Sequence, residues 1–106
     1  MAAYGPVGFD LERADGSDDL MATMAGQVLS PGEEADVHDA AEPRIAFLHW
    51  WTRKEALVKV GAIELDDFGG TDLSAHPGRW GGWSTTSWHD DARGVVAATA
   101  TAAPTP

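Results

Sequence analysis

Asp10 and Glu12 stand two positions apart in the run Val7-Gly8-Phe9-Asp10-Leu11-Glu12. Alternation of apolar with polar or small residues predicts a strand over 4–12. That strand would send both carboxylates to one face, with Cα atoms about 6.5–7 Å apart, and Val7, Phe9 and Leu11 to the core. Side-by-side carboxylates repel unless a positive charge sits between them. A hard cation such as Mg²⁺ answers that need, because it takes oxygen ligands and keeps positions for water and phosphate. A solvated acidic strand edge is the competing reading, and the D-x-E spacing alone does not decide between them.

A second group lies in Trp51-Thr52-Arg53-Lys54-Glu55-Ala56-Leu57-Val58-Lys59. On a helix, Trp51, Glu55 and Lys59 fall at i, i+4 and i+8 and share a face. Glu55 with Lys59 is then either an ordinary helical ion pair, worth a few tenths of a kcal/mol, or part of a site. In the second case Glu55 joins the carboxylates of Asp10 and Glu12, and Lys54 and Lys59 meet phosphate groups. The formal net charge is −10, which argues against a nucleic-acid binder. Within that acidic chain, Arg44, Arg53, Lys54 and Lys59 cluster in one short segment. The cluster suits an anionic ligand, or it is a helix face of solvated charges.

Other chemistries find no support. His38, His49 and His76 lack metal-ligand spacing among themselves and with His89, and His49, beside Trp50 and Trp51, reads as partly buried packing. The sequence has no G-x-S-x-G, no Walker-type loop and no H-E-x-x-H, and Gly69-Gly70 and Gly81-Gly82 are turn signals. With no Cys, disulfides and thiolate metal sites are excluded.

Several elements must hold these residues in place. Asp15-Gly16-Ser17 marks a turn, followed by a short helix capped by Ser17 or Asp18, running through Met24 and stopped by Gly26. Ser30-Pro31-Gly32-Glu33 has the form of a capping box with Pro at the first helical position. The acidic stretch from Glu33 to Glu42 is loop-prone after that start. Pro43 opens the strongest helix, reaching about Val60, with Phe47, Trp50, Trp51, Leu57 and Val58 as its apolar stripe and Gly61 as its stop. Residues 66–82 read as a long loop, and Trp83–Trp88 and Gly94–Thr101 as two strands joined through His89-Asp90-Asp91-Ala92-Arg93. The tail, residues 102–106, should fray.

The run Val7 to Glu12, Leu29-Ser30-Pro31-Gly32-Glu33, and Phe47 to Lys59 together resemble the 4′-phosphopantetheinyl transferase superfamily. Its pattern is a strand (V/I)-G-(V/I)-D-(L/I/V)-E, then, about forty residues on, W-(S/T)-x-K-E-A-x-x-K. Phe9 replaces the usual small aliphatic residue. The likeness covers roughly Pro6 to Gly61, and more loosely the strands to Thr101. It implies Mg²⁺-dependent transfer of 4′-phosphopantetheine from coenzyme A to a serine of an acyl or peptidyl carrier protein, releasing 3′,5′-ADP. It further implies that Asp10, Glu12 and Glu55 hold the metal. Glu55 or a metal-bound water takes the serine proton, and Lys54 and Lys59 neutralise charge on the pyrophosphate. Thr86-Ser87-Trp88-His89 partly matches the S-x-S-H turn of the small members, which implies a coenzyme A phosphate contact for His89.

The helix motif looks like the larger, surfactin-synthetase-activating members, which contain two similar halves with the site between them. The length of 106 residues is nearer the small holo-acyl-carrier-protein-synthase type, which forms trimers. The expectation is therefore a single α+β domain over residues 1–106, a small antiparallel sheet packed against a long helix. It would act as a homo-oligomer, trimer ahead of dimer, or with a partner. The alternative is a catalytically inactive or partner-dependent unit serving as a coenzyme A- or metal-binding or assembly module. Residues 1–10 lack the basic start and apolar run of a signal peptide, and no apolar stretch approaches the roughly 20 residues that span a bilayer. A soluble, cytoplasmic protein is expected.

Overall fold

In the computed structural model, residues 6–15 and 17–103 are described. Element order is β1 (Val7–Arg13), α1 (Ser17–Val28), α2 (Pro31–Asp39), α3 (Pro43–Lys59), a 3-10 turn (Leu65–Asp67), β2 (Arg79–Trp80), β3 (Trp83–Asp90) and β4 (Val95–Ala102). The strands form one antiparallel sheet in the order β1-β4-β3-β2. Helix α3 lies across its inner face, as expected for an α+β fold of sheet on long helix. Among the described residues, no helix is long and apolar enough to cross a membrane.

Helix α3 is the spine of the core. Phe47, Leu48, Ala56 and Leu57 are buried on it, facing Val96, Ala98 and Ala100 of β4, with Val28, Leu29, Phe68 and Leu73 closing the far side. Short alanine side chains on the central strand let the helix backbone sit close to the sheet. The approach is tightest at β1, where a Cβ on Gly8 would overlap the Ala56 carbonyl oxygen. Helix α3 ends where Gly61 takes a positive φ of 77°, the left-handed conformation that favours glycine.

Several sequence expectations change here. Val7, Phe9 and Leu11 do not enter the core; they are 60%, 47% and 48% exposed. The face of β1 that meets α3 carries Gly8, Asp10 and Glu12 instead, because only the glycine side admits the helix. Helix α1 runs on through Gly26 to Val28, since the buried Val28 side chain anchors its last turn. The caps expected at Ser17 or Asp18 lie outside the described side chains, as do Tyr4 and Gly5 of the expected strand and residues 104–106 of the tail. The acidic stretch is helical to Asp39, because Val37 is buried and the capping box holds the start. The long loop contains the 3-10 turn and the short strand β2. His89 and Asp90 belong to β3 rather than to the turn, where they pair with Val96 and Val95.

Candidate functional site

At the seam between β1 and α3, antiparallel pairing and helical spacing bring acidic and basic side chains together. Asp10 is 7% exposed. Its Oδ1 accepts from the Lys59 ammonium at 3.2 Å, and the same ammonium donates to the Phe9 carbonyl at 2.8 Å. Its Oδ2 is buried and has no hydrogen-bond partner. Glu12, two residues on and half-buried, accepts the Trp51 indole N–H at 3.1 Å. Trp51 itself stacks on Phe47, ring centroids 6.1 Å apart, and meets Phe68 edge-on at 5.8 Å. Packing thus fixes the donor that aims Glu12.

Glu55 is half-buried between these groups. Burial pushes its pKa up, repulsion from Asp10 adds to that, Lys59 opposes it, and Glu12 raises it further. Its neighbours are therefore the two strand carboxylates and one ammonium, all on one flank of α3. The three carboxylates are not drawn into a closed ligand set: among the described residues, no group of three or more His, Cys, Asp or Glu side chains could hold a metal ion. The Trp51 indole N–H occupies Glu12 Oε1, and the Lys59 ammonium stands beside Asp10.

A divalent cation nevertheless fits the donor chemistry on this flank. A buried carboxylate oxygen without a partner costs free energy, and a half-buried Glu55 repelled by Asp10 gains from any cation placed between them. Mg²⁺ is commonly held by one or two carboxylates and completes its shell with water and substrate phosphates, so a crowded protein cage is not required.

Two of the sequence-predicted site residues lie elsewhere. Lys54 is fully buried, and the expectation that it meets a phosphate gives way to a structural role. Its ammonium pairs with the equally buried Glu33 and donates to the carbonyls of Val28 and Phe68, each at 2.6 Å. A lysine ammonium has three donors, and all three are used. Burial lowers its pKa, while Glu33 opposes that shift. The reason is helical phase: Lys54 is one residue from Glu55, so it projects to a different side of α3. Glu33 also completes the capping box with Ser30 and accepts from the Leu73 amide at 2.6 Å. The pair therefore ties α2, α3 and the loop after the 3-10 turn into one unit.

His89 is the other. On the inner face of the sheet, Glu12, Val96 and His89 lie in one row, as do Asp10, Ala98 and Ser87. Two strand spacings put His89 roughly 10 Å from Glu12, on the opposite flank of α3. Its Nε2 is 3.9 Å from Asp91 Oδ1, with the side chain 23% exposed. Within one chain the structure does not bring His89 to the carboxylate seam.

The family profile described as the 4′-phosphopantetheinyl transferase superfamily matches residues 6–102. The chain belongs to that superfamily. The match spans β1 through β4, so the acidic strand, the capping box and the helix motif lie inside one continuous family unit. The comparison with curated proteins finds no match. Membership in this superfamily implies a phosphopantetheinyl transferase, and the β1–α3 seam of the superfamily unit is where the chain's acidic and basic groups converge.

Sequence reasoning missed the contributions of Trp51 and of the Phe9 carbonyl. The i, i+4, i+8 stack of Trp51, Glu55 and Lys59 was the available signal for the first. Nothing in the sequence pointed to the second, because a backbone acceptor carries no residue signature.

Proposed function

We propose that the chain transfers 4′-phosphopantetheine from coenzyme A to a serine hydroxyl of an acyl or peptidyl carrier protein, in a Mg²⁺-dependent reaction. The observation that carries this reading is the buried, unpartnered Oδ2 of Asp10 beside the half-buried Glu55, whose pKa burial and the Asp10 charge both push up. Asp10, Glu12 and Glu55 would hold the ion, and Lys59 at the mouth of the seam would meet the pyrophosphate. A bound Mg²⁺ supplies charge neutralisation to the pyrophosphate oxygens.

The chain's own groups divide the remaining work. Glu55, aimed into the same seam, would accept the serine proton as the general base. The ammonium of Lys59 is half-exposed, so it can leave Asp10 for an incoming phosphate while its stem stays on the helix. Trp51 holds Glu12 in orientation through its indole N–H. Phosphoryl transfer depends chiefly on positioning and electrostatics, which these groups provide.

A homo-oligomer, trimer or dimer, is part of this proposal. Supporting it, Val7, Phe9, Leu11 and Trp88 are exposed on the outer face of the sheet, with Phe9 and Trp88 in ring contact at 6.4 Å. His89 would then serve a coenzyme A phosphate of a neighbouring copy. The test is loading of coenzyme A onto an apo carrier protein, followed by mass spectrometry. Wild type should add 4′-phosphopantetheine only with Mg²⁺, and Glu55→Gln should abolish it. Absence of loading by the wild-type oligomer, under conditions that load the same carrier with another transferase, overturns the proposal.

A further inference from the structure

On the flank of α3 away from the carboxylate seam, a cleft of 430 Å³ opens between α2, α3 and β3. It is lined by Asp36, His49, Trp50, Arg53, Pro77 and Ser87, among others. The His49 Nδ1 lies 2.7 Å from the Ser87 hydroxyl oxygen, and the Trp50 indole N–H donates to Asp36 at 3.0 Å. Asp36 is thereby engaged at the wall. The Arg53 guanidinium is different. Its Nε is buried without a hydrogen-bond partner. Among the described residues no ion pair holds this guanidinium, in a chain with 17 acidic residues against seven basic ones.

We propose that this cleft is a second anion site, taking a phosphate monoester whose ester group is planar or apolar. The oxyanion would accept from Arg53 and from the Ser87 hydroxyl, whose oxygen would in turn accept from His49 Nδ1–H. The rest of the cleft is wider than a phosphate needs, and the Trp50 ring, Pro77, Ala40 and Ala46 give it an apolar wall. Guanidinium is the group best suited to a tetrahedral oxyanion, through paired N–H donors. Asp36 opposes a dianion, so the apolar group must contribute to affinity. The charges facing His49 are Arg53 and His89, which lower its pKa after burial does, and Asp36, which raises it. A bound anion adds to the Asp36 effect and should raise the pKa of His49. This site shares no side chain with the seam of Asp10, Glu12, Glu55 and Lys59, although His89, which the transferase reading gives a coenzyme A phosphate, acts on its His49.

The full chain, without added Mg²⁺, is titrated separately with inorganic phosphate, adenosine monophosphate and adenosine. The His49 ring and the Trp50 indole N–H are followed by NMR. Adenosine monophosphate should shift both signals saturably, more tightly than inorganic phosphate, and adenosine should not. Arg53→Gln should weaken binding about tenfold or more, the usual loss for a charge-assisted contact, with Arg53→Lys intermediate. Ser87→Ala provides a second variant that leaves the helix untouched. Glu55→Gln should bind as wild type does. The proposal is overturned if adenosine binds as well as its monophosphate, if Arg53→Gln and Ser87→Ala both bind unchanged, or if Glu55→Gln loses the binding.

Discussion

Replacing Lys54 separates a structural role from a ligand-binding one. Lys54→Met keeps most of the stem and removes the ammonium, leaving Glu33 fully buried with only the Ser30 and Leu73 amides as donors. Breaking a buried ion pair by deleting one partner costs about 3–5 kcal/mol, because the other charge stays buried. The carbonyls of Val28 and Phe68 also lose their donor, which places the loss at the upper end. A chain of this size has roughly 5–15 kcal/mol in total, and each kcal/mol moves Tm by about 4–8 °C for a domain near 100 residues. The melting temperature should therefore fall by more than about 12 °C in calorimetry or circular dichroism. Adding Glu33→Gln to Lys54→Met removes the stranded charge and should recover part of the loss, giving a large coupling in a double-mutant cycle. If Lys54→Met melts with wild type while its affinity for coenzyme A collapses, the ammonium faces a ligand and the reasoning is refuted.

Three further outcomes follow from the same geometry. Gly8→Ala would drive a Cβ into the Ala56 carbonyl oxygen, so urea unfolding should show a loss of about 1–3 kcal/mol, as for other overpacked positions; an unchanged midpoint would mean that α3 does not approach β1 this closely. Folded Glu55 keeps its proton to higher pH than the unfolded chain does. Its contribution to stability is thus full below the ordinary carboxylate range and is lost as pH rises through the elevated value. Glu55→Gln should accordingly raise the urea midpoint at neutral pH and not at acidic pH, and the wild-type gain in Tm on adding Mg²⁺ should shrink in that variant. On the outer sheet face, Phe9→Glu with Trp88→Glu should leave far-ultraviolet circular dichroism intact and convert the proposed homo-oligomer to monomer in light scattering. Retention of the wild-type mass would place the contact between copies elsewhere.

Patterns with a local physical cause were legible in the sequence. The capping box at Ser30 and Glu33, Pro43 at the start of α3 and Gly61 beyond its end each act within a few residues, and the chain follows them. The pairing of β3 with β4 was legible for the same reason, and so was the family, whose motifs are contiguous. The inward face of β1 was not. Alternation shows that Asp10 and Glu12 share a face, but apolarity suggested burying the opposite one. The outcome turns on Gly8, whose missing side chain lets α3 settle on the polar face, and that choice depends on a helix more than forty residues away. The fate of Glu33 was hidden likewise: a capping glutamate is usually half-solvated, and only the arrival of Lys54 from α3 makes it a buried ion.

The helix motif therefore contains two kinds of residue interleaved by helical phase. Thr52, Lys54 and Ala56 are the buried builders: the Thr52 hydroxyl donates to the Leu48 carbonyl at 2.7 Å, Lys54 locks α2 and the loop, and Ala56 receives Gly8. Trp51, Glu55 and Lys59 form the edge that meets β1, while His49 and Arg53 face the cleft on the other flank. A motif of this kind cannot be read as a list of ligands. Position in the turn decides whether a charged side chain answers to the core or to a substrate, so the adjacent residues Lys54 and Glu55 serve different masters. Substitutions at the builders should change stability and site geometry together, whereas those at the edge should change chemistry on an intact fold.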